Sequence, residues 1–289
     1  MPNAIVIKSS VASTAPGLQK LRRDTLLDGL AAGGVPFLFD LAFAYGWPSL
    51  AAPIDGSAIV DLAEVANGTV EIKAGQTVSY AGGGFDFGAL TDDPADIKAP
   101  AGCLSSIFSG NQYFMVAFYM KLPTSGNWNS ISAIAPMFLT STALYLTEAD
   151  MVTIAQANQP QLQARRQTDG GAGIVSLSVT PDATIYDQVC QVAFWRHAAG
   201  TGLRVKSALG SKIATGAVGV KNTGDFSLKR PQFGVPDASN ALAGSVPHRN
   251  AAKTRLYRGW IENLEISGRD PLTVLDADWA RTIARGVFS

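Results

Sequence analysis

The chain has 289 residues, room for one large domain or two modest ones, and its 23 Lys and Arg against 23 Asp and Glu leave no net charge. No stretch is more basic than Arg22-Arg23 or Arg165-Arg166, which argues against an electrostatic grip on nucleic acid or an anionic membrane surface. Charged residues make up only 16 % of the chain, below the usual quarter or so, so the polar surface falls to Ser, Thr, Asn, Gln and Gly, as in β-rich proteins.

The 29 glycines and 15 prolines are spread along the whole length, which predicts frequent turns rather than a disordered tail. No run reaches the roughly 18 uncharged apolar residues of a membrane-spanning helix; Gly33-Gly34 and Asp40 break the longest candidates. The opening Met1–Lys8 lacks the basic region and apolar core of a secretory signal. Synthesis in the cytoplasm is therefore expected, with Cys103 and Cys190 as free core thiols rather than a disulfide or half of a metal site.

In chain order, Ala4–Ile7 reads as a short strand. From Ala15 to Ala32 the leucines Leu18, Leu21, Leu26, Leu27 and Leu30 recur near helical spacing among charged residues until Gly33-Gly34 stops the pattern. The spacing predicts an amphipathic helix whose leucine face (Leu18, Leu21, Leu26, Leu30) must lie on the body of the protein or on another subunit. Residues 1–34 are read as an attachment segment and residues 35–289 as one β domain.

Beyond Val35, short apolar or alternating stretches separated by turn residues predict antiparallel strands. They are Phe37–Phe43, Thr69–Ile72, Val78–Tyr80, Tyr113–Lys121, Ala133–Leu139, Ala143–Thr147, Gln161–Arg166, Ile174–Val179, Gln188–Arg196, Thr201–Val205, Gln232–Val235 and Arg255–Ile266. Tyr113–Lys121 is apolar on both faces, so it should be central, with something covering the face turned away from the core. The phase of the last strand slips near Gly259, where a bulge is expected. A closing helix is predicted over Ala277–Ala284, capped by Asp276, with Arg281 and Arg285 toward its favourable end.

Motifs for chemistry are sparse. Glycosidases of this architecture carry Glu-x-Asp-x-(x)-Glu on one strand, so that alternation places the carboxylates on one face. Glu148-Ala-Asp150 has the first pair without the second Glu, and Glu262 and Glu265 would face opposite ways; both pairs read as solvated surface charges. His197 and His248 read as exposed loop residues. Thr91–Asp96 is the one acidic cluster with loop character, so Asp92, Asp93 and Asp96 are the residues that would offer oxygens to calcium, although Asp-Asp-Pro is also an ordinary turn sequence. No cofactor and no metal site is expected. Ala81-Gly-Gly-Gly-Phe85 lacks the context of a phosphate loop and reads as a turn or a close backbone approach, with Phe85 and Phe87 packed nearby. The loop Thr124–Ser130 places Trp128 between Asn127 and Asn129, a composition suited to sugar hydroxyls; the same tryptophan could instead fold over the sandwich edge or lie in a subunit contact.

Four pieces in order carry a family resemblance: Tyr113–Pro123, aromatic-rich and ending in lysine and proline; Gln191–Lys206, a middle strand leading into a hairpin; Pro231-Gln-Phe-Gly234; and Gly259–Ile266, running into the last helix. In this order the chain from about Phe37 onward resembles the concanavalin A-like jelly roll in its laminin-G and pentraxin style. With its leading helix it also resembles virion proteins of tailed bacteriophages, whether tail tip, fibre, baseplate or head decoration. The resemblance implies an all-β jelly-roll sandwich with a leading N-terminal helix and a short C-terminal helix. It further implies a non-enzymatic structural protein made in the host cytoplasm and carried in the virion, partnered by copies of itself, as a homotrimer, and by other virion proteins. A glycan-binding adhesin that reads a host cell-surface glycan is the second expectation, and a glycoside hydrolase or lyase the third.

Overall fold

The computed structural model describes residues 24, 26–27, 33–90, 94–129, 135–141, 148–157, 160–169, 173–236 and 253–289. Two antiparallel sheets face each other. The first is built from β1 (Phe37–Asp40), β4 (Ser79–Ala81), β5 (Gly84–Asp86), β7 (Phe114–Lys121), β12 (Val189–His197), β13 (Gly200–Lys206), β14 (Ser211–Gly216) and β16 (Arg255–Asn263). Its order is β14-β13-β12-β7-β16-β5-β4, with β1 also paired to β16. The second contains β2 (Ala58–Ile59), β3 (Gly68–Ile72), β6 (Ala95–Lys98), β8 (Ala135–Leu139), β9 (Thr153–Ala157), β10 (Gln161–Gln167), β11 (Ile174–Val179) and β15 (Gln232–Val235), ordered β11-β10-β9-β8-β15-β6-β3-β2. Neighbours distant in sequence lie side by side, as a jelly roll requires, and the expected fold class holds.

Alternation sorts the central strand onto two cores. Phe114, Val116, Phe118 and Met120 of β7 enter the space between the sheets, while Met115, Ala117 and Tyr119 face outward. The outer face is covered by α4 (Pro271–Ile283), whose Val274 and Leu275 are buried with Leu27, Trp195 and Trp260. That answers the demand of the doubly apolar strand. Burying large side chains on both faces stabilises by roughly 1.5–3 kcal/mol each. Three shorter helices are α1 (Ser105–Ser109), α2 (Ser125–Asn129) and α3 (Leu264–Ser267).

The bulge of β16 lies at Tyr257, two residues before the expected place. Leu256 pairs with Met120 and Arg258 with Tyr119, so Tyr257 is the extra residue. One extra residue flips the phase: Leu256 points into the inter-sheet core, whereas Tyr257 and Trp260 pack on the outer face. Gly259 is needed where the Phe39 ring crosses the strand, since a Cβ there would lie 2.8 Å from that ring. Gly82 and Gly83 turn β4 into β5 with φ of 55° and 82°, as expected for a Gly-rich turn.

Other expectations are corrected. The last helix begins at Pro271, capped by Asp270, whose carboxylate accepts from the Thr273 N–H at 2.9 Å; Asp276 instead binds Arg204 and Lys206, each at 2.8 Å. The last strand stops at Asn263, which caps α3 through the N–H groups of Glu265 and Ile266. Strands β2, β5, β6, β9 and β14 were not anticipated. The predicted strands Ala4–Ile7 and Ala143–Thr147, Leu18, Leu21 and Leu30 of the leading helix, Asp92, Asp93 and His248 lie outside the described residues.

Candidate functional site

Trp128 takes the second of its two readings. In α2 it is 1 % exposed, part of the main core, and edge-on to Tyr186 with ring centroids 5.9 Å apart. Its large apolar area is worth more inside than on a loop tip, so it offers no face to a sugar. Asn127 stays half-buried at a polar cleft of about 230 Å³, beside Asp86, Lys121, Thr124, Asp187, Lys253 and Arg255. Arg255 grips Asp86 there through Nε and Nη2 at 2.9 and 2.6 Å, and Lys121 lies 3.6 Å from Asp187.

The acidic pairs also differ from expectation. Asp150 and Glu262 are fully buried rather than solvated. The Asp150 carboxylate accepts from the hydroxyls of Thr140 and Thr153, its backbone N–H donates to Gln167 Oε1 at 2.8 Å, and burial pushes its carboxyl up. Glu262 holds Ser267 and Arg269 at 2.7 and 2.8 Å. Glu265 accepts from Asn111, and Glu148 pairs with Lys229 at 2.6 Å. His197 is half-buried, 6.1 Å from the Tyr113 ring. Asp96 sits in β6 opposite Glu71 and is buried. Among the described residues no group of three or more His, Cys, Asp or Glu is placed to hold a metal ion. Both cysteines are buried and free.

A second cleft, of about 270 Å³, opens on the outer face of the first sheet and is lined by Asp24, Asp40, Phe43, Leu62, Arg258, Arg281, Thr282 and Arg285. Three elements build it. The end of β1 supplies Asp40, and the bulge in β16 turns Arg258 outward. The i, i+3, i+7 spacing of Asp278, Arg281 and Arg285 brings these three to one side of α4 and its C-terminal extension. Arg258 Nη2 lies 2.6 Å from Asp24 and 3.2 Å from Asp278, and Nη1 lies 3.1 Å from Asp40. Arg281 forks onto Asp24, with Nη1–Oδ1 2.6 Å and Nη2–Oδ2 2.8 Å, and also meets Asp278 at 2.5 Å. Arg285 pairs with Asp40. Below them Tyr119 donates to Asp278 at 2.8 Å and accepts from Gln191 at 2.8 Å.

The electrostatics follow from burial and pairing. Burial disfavours the Asp24 carboxylate, but the guanidinium groups of Arg258 and Arg281 outweigh it and hold the group well below the usual carboxylate range. For Arg258 burial opposes the charge, and Asp278, Asp40 and Asp24 together hold it on more firmly than in water. At the mouth the character changes. Arg281 and Arg285 are about a third exposed, and Phe43 and Tyr45 present exposed rings 6.3 Å apart. Exposed aromatic faces next to forked hydrogen-bond donors are the groups that hold a saccharide ring and its oxygens. This cleft was missed in the sequence, although one signal was there: Asp40 closes the apolar run Phe37-Leu38-Phe39 and Arg258 lies between Tyr257 and Gly259-Trp260, and a charge buried so requires a partner.

The described part of the leading segment lies on the body. Leu27 is buried in the outer core, Leu26 packs against it half-buried, and the Leu26 carbonyl accepts from Arg269 Nη1. Among the described residues no helix is long and apolar enough to cross a membrane.

No family model matches the chain and no curated protein matches it. Solved structures do. A Trypanosoma rangeli sialidase in complex with sialic acid matches with a TM-score of 0.48 and 9 % identity over 79 % of this chain and 30 % of its own. The CBM40 of Ruminococcus gnavus IT-sialidase, bound to α2,3-sialyllactose, matches at 0.34 and 12 % over 52 % and 75 %. The enzymatically active domain of bacteriophage CBA120 tailspike protein 2 matches at 0.35 and 12 % over 61 % and 24 %. The chain thus spans about 30 % of the length of the sialidases it matches, and at these identities no residue role is carried over. They overturn one expectation, that of a chain without catalytic activity: its structural likenesses include sialidases, a sialidase mutant displaying trans-sialidase activity and an enzymatically active tailspike domain. The missing Glu-x-Asp-x-(x)-Glu pattern was too narrow a criterion, because glycosidases with other nucleophiles, sialidases with a tyrosine among them, do without it.

Proposed function

We propose that this chain is a glycan-binding jelly-roll module of a bacteriophage virion, and that the saccharide sits in the cleft between Phe43 and the arginines of α4. The observation that carries the reading is the pairing of two exposed rings, Phe43 and Tyr45, with the partly exposed forks of Arg281 and Arg285. The rings supply flat apolar area, and the guanidinium groups supply donors for ring and hydroxyl oxygens. The virion part of the reading is supported by the order of sequence elements that resembles phage proteins and by a leading segment that docks through Leu27 and Asp24 on the outer face of the sandwich. A low-charge surface suits a subunit packed among copies of itself.

The test is a glycan array probed with the full chain, followed by titration of the best saccharide. Phe43→Ala should weaken binding about tenfold, a loss of about 1.4 kcal/mol, whereas Asn127→Ala should leave it unchanged. A silent array refutes the glycan reading; loss with Asn127→Ala alone moves the site to the other cleft. Mass measured in solution and proteomics of purified virions test the assembly, for which a trimer present in particles is expected and a monomer absent from them is the contrary result.

A further inference from the structure

The charges of the arginine cleft come from two parts of the chain. Among the described residues, the sandwich and α4 contribute Arg258, Arg281 and Arg285 but only two carboxylates, Asp40 and Asp278. The third carboxylate, Asp24, arrives from the leading segment. It enters as a ligand would, its two oxygens bridging the fork of Arg281 and reaching Arg258 at 2.6 Å. Without it the body holds one more guanidinium than carboxylate in a site where Arg258 is 3 % exposed, and such an excess recruits an anion. The cleft runs from this point to the ring of Phe43.

We infer that the cleft is a slot for one carboxylate, filled in cis by Asp24, and that its ligand is a carboxylate-bearing saccharide that competes with Asp24 for Arg258 and Arg281. The inference rests on the glycan reading and deepens it: the rings select a sugar, and the arginines select an acidic one. Planar two-point pairing with a guanidinium distinguishes a carboxylate from a hydroxyl by geometry as well as charge. Asp24 then sets the apparent affinity, because a slot free about one-tenth of the time binds about tenfold more weakly than an open one. Beyond the arginines, Asp24 is held by its own turn, where Oδ1 accepts from the N–H groups of Leu26 and Leu27 at 3.1 and 2.8 Å.

Two measurements test this, both on the full chain. The first titrates trigalacturonic acid and its uncharged methyl ester into the wild type and into Asp24→Asn, which keeps the acceptor for Leu27 and removes the charge. The acid should bind the variant about tenfold more tightly than the wild type, with an affinity that falls as salt rises, while the ester shows no gain. Equal affinity of both proteins for the acid, or an equal gain for the ester, overturns the inference. The second is independent of sugar: the melting temperature of Asp24→Ala should rise saturably with acetate at constant ionic strength, and that of the wild type should not. An Asp24→Ala chain that folds only with acetate supports the slot, and one indifferent to acetate contradicts it. A silent array together with acetate rescue would sink the glycan reading alone; a responsive array without acetate rescue would sink the slot alone.

Discussion

Replacing Arg258 by Met removes the one cation that, among the described residues, touches all three buried carboxylates. Arg258 is 3 % exposed and lies 2.6, 3.1 and 3.2 Å from Asp24, Asp40 and Asp278. Methionine fills much of the volume and offers no donor, so the carboxylates keep only Arg281 and Arg285, each a third exposed. Breaking a buried ion pair on one side costs about 3–5 kcal/mol, because the partner's charge stays buried without compensation. At about 2–4 °C per kcal/mol for a domain of this size, the melting temperature at neutral pH should fall by about 6–20 °C. The pH dependence provides the second half of the assay. The Asp24 carboxyl is held below its ordinary value in the fold. Its contribution is therefore complete above the unfolded value of about 4 and is lost as pH falls through the folded one. In Arg258→Met that depression is reduced, so the gap between the two proteins should narrow steadily below about pH 4. Calorimetric melts of both across this range decide it. A loss below about 1 kcal/mol, the size of an exposed pair, or a gap that widens with acid, would refute the reasoning.

Further outcomes follow from other parts of the fold. Gly202→Ala would place a Cβ 2.0 Å from the Trp195 ring and should destabilise by about 1–3 kcal/mol through overpacking, read by urea denaturation. Trp128→Ala should cost about 3–5 kcal/mol of stability and leave the sugar affinity of the remaining folded protein unaltered, since the ring belongs to the core. Cys103 and Cys190 should both be silent to a thiol reagent in the native protein and react in denaturant: burial pushes the Cys103 thiol up to about 12, and that of Cys190 upward too.

The central strand was legible because eight apolar residues in a row, Tyr113–Met120, leave no face for water, and from that alone a cover on the outer face could be demanded. What the cover would be was not, since the helix start was read at Asp276 although Asp270-Pro271 carries the stronger combination of cap and N1 proline. The bulge was sensed from the slip of phase around Gly259, but its position at Tyr257 depends on which residue of β16 faces Met120 and Tyr119, and that is a property of pairing across distant segments. The site was hidden for the same reason. Asp24, Asp40, Arg258 and Arg281 are scattered over the whole chain, and only the pairing of β1 with β16 and the packing of α4 and the leading segment on the outer face of that sheet bring them within hydrogen-bond reach. Local composition misled once, at Thr124–Ser130, where small polar neighbours suggested an exposed ring. Trp128 turned inward because a large aromatic gains more from the core than its neighbours lose.

The most direct test of the glycan-binding site is a crystal structure of the full chain soaked with the strongest saccharide from the array. Electron density for the sugar is expected against the Phe43 ring, with an oxygen within hydrogen-bond distance of Arg281 or Arg285. Sugar density beside Asn127, or an empty arginine cleft at saturating saccharide, would contradict it.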